Sequence, residues 1–205
     1  MRDLSPREKA LTQFPAMYVT LVSVVQAIAL EVLVARVVEV RPPAELTLAS
    51  VTVWLEVVLL GLTIFYVWVS YTLLVTLAQW VLRAFDFAAA FAVGVLQFVA
   101  IGWLGPDTVA PFCVMIVIGF GSGAWISHSN TGAAAARPEN AAVTGSLPRW
   151  RLTVLLAAVG VLGVVGAIAA ESSLPLVVGA LAASAVLVIA ALREWFGWWN
   201  RVVRL

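Results

Sequence analysis

LASVTVWLEVVLLGLTIFYVWVSYTLLVTLAQWVLR, Leu48 to Arg83, is either one long membrane span or two short ones, and the choice sets the topology of everything after it. The stretch contains no proline and no polar turn. From Trp54 to Trp80 it covers about 39 Å at 1.5 Å per helical residue, which suits one tilted helix crossing a hydrocarbon core of about 30 Å and its interfaces. Read as one helix, it predicts a chain of six transmembrane helices.

The other segments fall on either side of it. A first helix is expected over about residues 14–36, followed by a short loop in which Pro42 and Pro43 forbid continuation. The apolar run after Arg2, Arg7 and Lys9 is too long and lacks a small-residue cleavage site, so it reads as a retained helix. A hairpin comes next, with helices over 87–104 and 108–127 joined by Gly105-Pro106-Asp107, and Asp107 or Thr108 as N-cap. SHSNTGAAAARPENAAVTGSLPR reads as the longest loop. The last two helices are expected over 150–170 and 174–192, and the aromatic, basic tail 193–205 along the membrane surface. The fold class is therefore all-α, one six-helix membrane domain over 1–205.

Composition agrees. The 205 residues are 63% hydrophobic and 11% charged, with a mean hydropathy of +1.04, whereas a soluble domain carries roughly 25% charged residues. With the N-terminus inside, Arg2, Arg7, Lys9, Arg83, Arg137, Arg149, Arg151, Arg193, Arg201 and Arg204 fall on the inner side, and Arg36 and Arg41 outside. That bias places both termini in the cytoplasm and disappears if Leu48 to Arg83 is split. Trp54 and Trp103 fall at outer ends, and Trp80, Trp125, Trp150, Trp195, Trp198 and Trp199 at inner ends, leaving Trp68 mid-membrane. Lys9 is the only lysine among 12 basic residues, a usage that points to a GC-rich bacterial genome and hence to the inner membrane.

Several functions are excluded. A net charge of +1 with scattered basic residues leaves no footprint for nucleic acid. One cysteine, Cys113, and one histidine, His128, make neither an internal disulfide nor a Cys/His metal cluster. With no lysine inside a span there is no Schiff-base anchor for retinal or pyridoxal. No cofactor is implied. Gly119-Phe120-Gly121-Ser122-Gly123 lacks the Lys and the preceding strand of a phosphate loop. Gly119/Gly123 and Gly179/Ala183 have the spacing of close helix packing. Ser127-His128-Ser129-Asn130 reads as an interfacial helix stop, and Asp86 as the N-cap of the third helix beside Arg83. No acid, base and nucleophile converge, so the chain does not read as an enzyme.

Polar residues inside spans carry the functional information, since a charge at the bilayer centre costs a few kcal/mol unless neutralised or hydrated. Glu31 and Glu56 stand at similar depth in the outer half of helices one and two. Ala16, Thr20, Ser23, Ala27 and Glu31 lie within roughly 80° around helix one, with Gln26 on the flank. Thr52, Glu56, Thr63 and Ser70 lie within roughly 40° around helix two, beside Tyr66. The two stripes can face common water. The plainer alternative is that the hydroxyls bond their own backbone, while Gln26 and Gln97 bond between helices.

SVVQAIALEVLV (23–34), a proline-containing loop, IFYVWVSY (64–71) and Asp86 opening the next helix together resemble the bacterial relatives of the endolysosomal potassium channel family. Leu21-Val22-Ser23 stands where that family has Phe-Ser-Asp, and Trp68-Val69-Ser70-Tyr71 keeps the Trp of its Trp-x-Asn-His. The resemblance implies a homotetramer passing a monovalent cation such as potassium. It implies a pore lined by helix one, with Ile28 as a hydrophobic gate and Glu31 as an acidic ring above it; the stripe on that helix then offers Ala27, Ser23 and Thr20 as pore lining, and the two polar stripes offer Glu56, Gln26, Thr63 and Ser70 as polar partners. Two other readings stay open: a non-conducting scaffold or accessory subunit, and a proton-coupled small-solute transporter using Glu31 and Glu56.

Overall fold

The computed structural model describes the backbone of residues 6–42, 45, 47–78 and 84–204, and the side chains of all of these except 6–12 and 84. Among the described residues the chain is all-helical: α1 (Pro6–Val40), α2 (Leu48–Leu77), α3 (Ala84–Gly102), α4 (Val109–Ala135), α5 (Ala141–Thr144), α6 (Arg149–Ala169) and α7 (Leu174–Val202). Six of these, all but α5, are long and apolar enough to cross a membrane. The protein is a multi-pass membrane protein in contact with lipid.

α2 is continuous over its 30 residues, as one helix rather than two. Its start is fixed by a capping box: Thr47 Oγ1 accepts from the Ser50 amide at 3.2 Å, and Ser50 Oγ accepts from the Thr47 amide at 3.1 Å. The helix stops at Leu77, short of the expected Arg83, because Ala78 turns to an extended conformation as its C-cap; residues 79–83, Trp80 among them, lie outside the described residues, as does Pro43.

α4 and α6 form the tightest pair, and α7 closes over α6 and α2. The glycines of GVLGVVG on α6 explain the first contact. A Cβ on Gly163 would stand 3.1 Å from the Cys113 carbonyl, and one on Gly166 would stand 2.8 Å from Cys113 Sγ. α1 is the most peripheral span, and it packs on α2 and α3. Gly94 lets it approach α3, since a Cβ there would meet Val25. Arg36 ties its C-terminal part to the end of α3, reaching the carbonyl oxygens of Leu104 at 3.2 Å and Gly102 at 3.5 Å.

Four further expectations about boundaries and packing are corrected. α4 does not stop near Ser127 but runs to Ala135, because TGAAAA is rich in the best helix former and proline first appears at 138. The segment beyond Ala135 is not an open loop but a 3-10 turn (Pro138–Asn140) and α5, held by Asn140 Nδ2 on the Ala134 carbonyl at 3.0 Å. α7 does not end at Leu192. It continues through the aromatic tail to Val202 because nothing in REWFGWWNRV breaks it. Trp195 and Trp198, three residues apart on one face, are buried rather than laid along an interface. Finally, Gly119, Gly123 and Gly179 pack against nothing: a Cβ on any of them finds no atom within 4 Å. Gly160, Gly163 and Gly166 take the close-packing role instead.

Candidate functional site

The membrane-depth polar residues separate into three places. The first is the outward face of α1. Tyr18, Val22, Gln26, Ala29 and Leu33 are buried and lie within roughly 80° around the helix, on the side away from Thr20, Ala27, Ile28 and Glu31, all exposed. The expected stripe is therefore turned away from the protein's own bundle. Thr20 Oγ1 bonds back to the Ala16 carbonyl at 2.9 Å. Ser23, at the edge of the stripe, accepts a hydrogen bond from Trp68 Nε1 at 3.0 Å, so the mid-membrane indole has a partner on α1. Gln26 lies on the buried face rather than on the flank of the stripe, with its amide oxygen unpartnered among the described residues.

The second place is the turn between α3 and α4. Glu56 is fully buried, and its Oε2 accepts from the Gly105 amide at 3.2 Å. Gly105 has φ +153°, a conformation that favours glycine. Thr108 Oγ1 closes the same turn, its one hydroxyl hydrogen reaching the Trp103 carbonyl at 2.5 Å with the Gly105 carbonyl oxygen 3.1 Å away. Glu56 thus serves as an acceptor for a backbone group that water does not reach. Glu31 faces out and Glu56 faces in, and the structure does not bring the two carboxyls into one site. Glu56→Leu removes that acceptor and is expected to lower stability by about 1–3 kcal/mol, whereas Glu56→Gln keeps an acceptor oxygen and stays within about 1 kcal/mol of the parent. Thermal unfolding in detergent measures both. Equal midpoints for the Leu variant and the parent would show that the carboxyl does not hold the turn.

The third place is a partly open cavity between α2, α3 and α4, with Leu156 of α6 and Trp195 of α7 at its wall. Thr63, Tyr66, Ser70 and Tyr71 reach it from α2, Gln97 from α3, and Ser127, Asn130 and Thr131 from α4. Thr63 and Ser70 donate to their own backbone, at 2.7 Å to Leu59 and 3.0 Å to Val67, which leaves their lone pairs facing the cavity. Trp195 Nε1 donates to Tyr66 Oη at 3.2 Å and ties α7 to α2 at the wall. Gln97 makes no interhelical bond among the described residues. The polar stripe of α2 therefore divides: Thr52 bonds back to the Leu48 carbonyl at 2.8 Å, Glu56 holds the α3–α4 turn, and Thr63, Tyr66 and Ser70 line the cavity. None of it faces the stripe of α1.

Two further residues are structural. His128 lies within α4 rather than at its stop, with Nδ1 3.1 Å from Thr153 Oγ1 and its ring centroid 4.5 Å from that of Trp150. Asp86 is buried in the first turn of α3 rather than preceding it as a cap, its backbone carbonyl accepting from Tyr18 Oη at 3.0 Å. Arg83, its expected partner, lies outside the described residues. The cavity is the feature that sequence reasoning misses. Its lining reads as hydroxyls satisfied by their own helices and glycines spaced for packing, and both patterns look the same beside a void. Comparison with family models, curated proteins and solved structures finds no match to this chain.

Proposed function

We propose that copies of this chain assemble in a bacterial inner membrane, with both termini in the cytoplasm, as a channel for a monovalent cation lined by α1 of each copy. One observation carries the reading: Glu31 and its neighbours Thr20, Ala27 and Ile28 face away from the bundle that should otherwise cover them. A carboxylate turned to acyl chains at this depth is costly, by about 3 kcal/mol for an acidic residue at the centre of a span. The same group on a hydrated axis shared by several copies attracts cations, and an isoleucine ring one turn deeper opposes leak by shedding water. The family resemblance over residues 23–34 and 64–71 makes four the expected number of copies. The transporter reading is less well supported, because its two carboxyls stand on opposite sides of the bundle wall.

Potassium flux into liposomes tests the proposal. Glu31→Gln is expected to lower flux several-fold, as the ring loses its charge, and Ile28→Asn to raise resting flux by wetting the constriction. Identical flux from the parent and both variants, or a chain that stays monomeric by mass in lipid nanodiscs, removes the α1 path. The second result would favour an accessory or scaffolding role.

A further inference from the structure

The partly open cavity between α2, α3 and α4 shares no lining residue with the outward face of α1, and the proposed conduction path gives it no task. It has about 90 Å³ open to the centres of water-sized molecules, on a measure where one water needs roughly 10–15 Å³. A small organic molecule fits there. Two features distinguish it from a packing fault. Gln97 is 4% exposed, and neither its amide oxygen nor its amide nitrogen has a partner among the described residues. A buried amide left in that state is costly, so a partner supplied from the cavity is strongly favoured. Gly119 and Gly123 also line the space, and a Cβ on either would meet nothing within 4 Å. α4 is therefore kept bare along the wall where side chains would otherwise fill the void.

We infer that this cavity is a binding site for a small neutral molecule carrying a carboxamide or a hydroxyl on a short apolar body, held by Gln97. The lining decides the class. None of its side chains is charged, so an ion would enter without a counter-charge and lose its hydration. Most of it is aliphatic or aromatic, with a few converging polar groups, the usual build of a small-molecule site. Gln97 offers one acceptor and two donors, and a primary amide answers both at once. The hydroxyl side of Thr63, Tyr66 and Ser70 supplies further acceptors without committing a charge.

Hexanamide is a suitable probe, added to the full chain in nanodiscs, with empty nanodiscs subtracted and binding followed by saturation-transfer NMR. One saturable site per chain is expected. Hexylammonium and hexanoate, the same length but charged, should bind at least tenfold more weakly. Gln97→Leu should weaken hexanamide binding about tenfold. Gly123→Leu, and independently Gly119→Leu, should abolish it by filling the space while leaving helicity and monodispersity unchanged. Absence of saturable binding above empty nanodiscs means that the cavity holds water only and overturns the inference. Undiminished binding by Gln97→Leu, or by whichever filling variant is monodisperse, overturns it as well.

Discussion

Gly166→Ala is expected to lower the stability of the protein by about 2 kcal/mol, and Cys113→Ala in the same chain to return most of that loss. The cause is a close approach between α4 and α6. The methyl group added at Gly166 would lie 2.8 Å from Cys113 Sγ, well inside contact distance, and 3.9 Å from the Ala180 Cβ of α7. Cys113 is fully buried, so its sulfur has nowhere to turn, and α4 and α6 must part. Overpacking of this kind costs about 1–3 kcal/mol. Exchanging one heavy atom on α4 for one on α6 roughly conserves the volume between them, which is why the two changes offset each other when each alone is unfavourable. Gly163→Val goes further, because one of its neighbours is the Cys113 carbonyl, which cannot move as a side chain can. It is expected to prevent a monodisperse fold. Unfolding midpoints of the four chains in one detergent provide the test, and additive losses for Gly166→Ala and Cys113→Ala would show that the helices do not meet there.

The same contact shows what a sequence does and does not reveal about such a bundle. Six spans, and α2 as a single one, are legible from hydropathy and from the length of the apolar runs, because membrane thickness imposes a length on every helix. Both signals are one-dimensional. Which small residues touch a neighbour is not: Gly119 and Gly123 on α4 have the four-residue spacing of a packing pair yet a Cβ on either meets nothing, while Gly160, Gly163 and Gly166 on α6 stand against α4. Glu31 and Glu56 illustrate the point for the site. Their places along α1 and α2 are legible, but a modest rotation separates a carboxyl facing out of the bundle from one enclosed by it, and the neighbours that enclose Glu56 come from α3 and its turn, far along the chain. The extension of α7 past Leu192 is obscured differently: tryptophan beside arginine is the usual mark of an interface, yet the same residues three apart make a buried face once the helix continues.

Trp195 is where that distinction has the largest energetic consequence. Its indole is 1% exposed and packs edge-on against Trp198, with ring centroids 5.5 Å apart. Its Nε1 holds Tyr66 Oη across the bundle at 3.2 Å, while Trp198 Nε1 holds the Val143 carbonyl at 2.9 Å and so fixes the segment after α5 begins. Trp195→Ala removes the largest side chain between α7 and α2 and leaves a void continuous with the cavity it lines. The expected loss is about 3–5 kcal/mol. Trp195→Phe keeps most of the ring and gives up the donor, so it should cost only about 1–2 kcal/mol. Tyr66→Phe added to Trp195→Phe should cost less than the sum of the two, since each already removes the same hydrogen bond. Thermal unfolding of the full chain in detergent separates these cases. If Trp195→Ala unfolds at the parent's midpoint, the indole lies in an interfacial belt and not in the core, and α7 beyond Leu192 contributes nothing to holding the bundle closed.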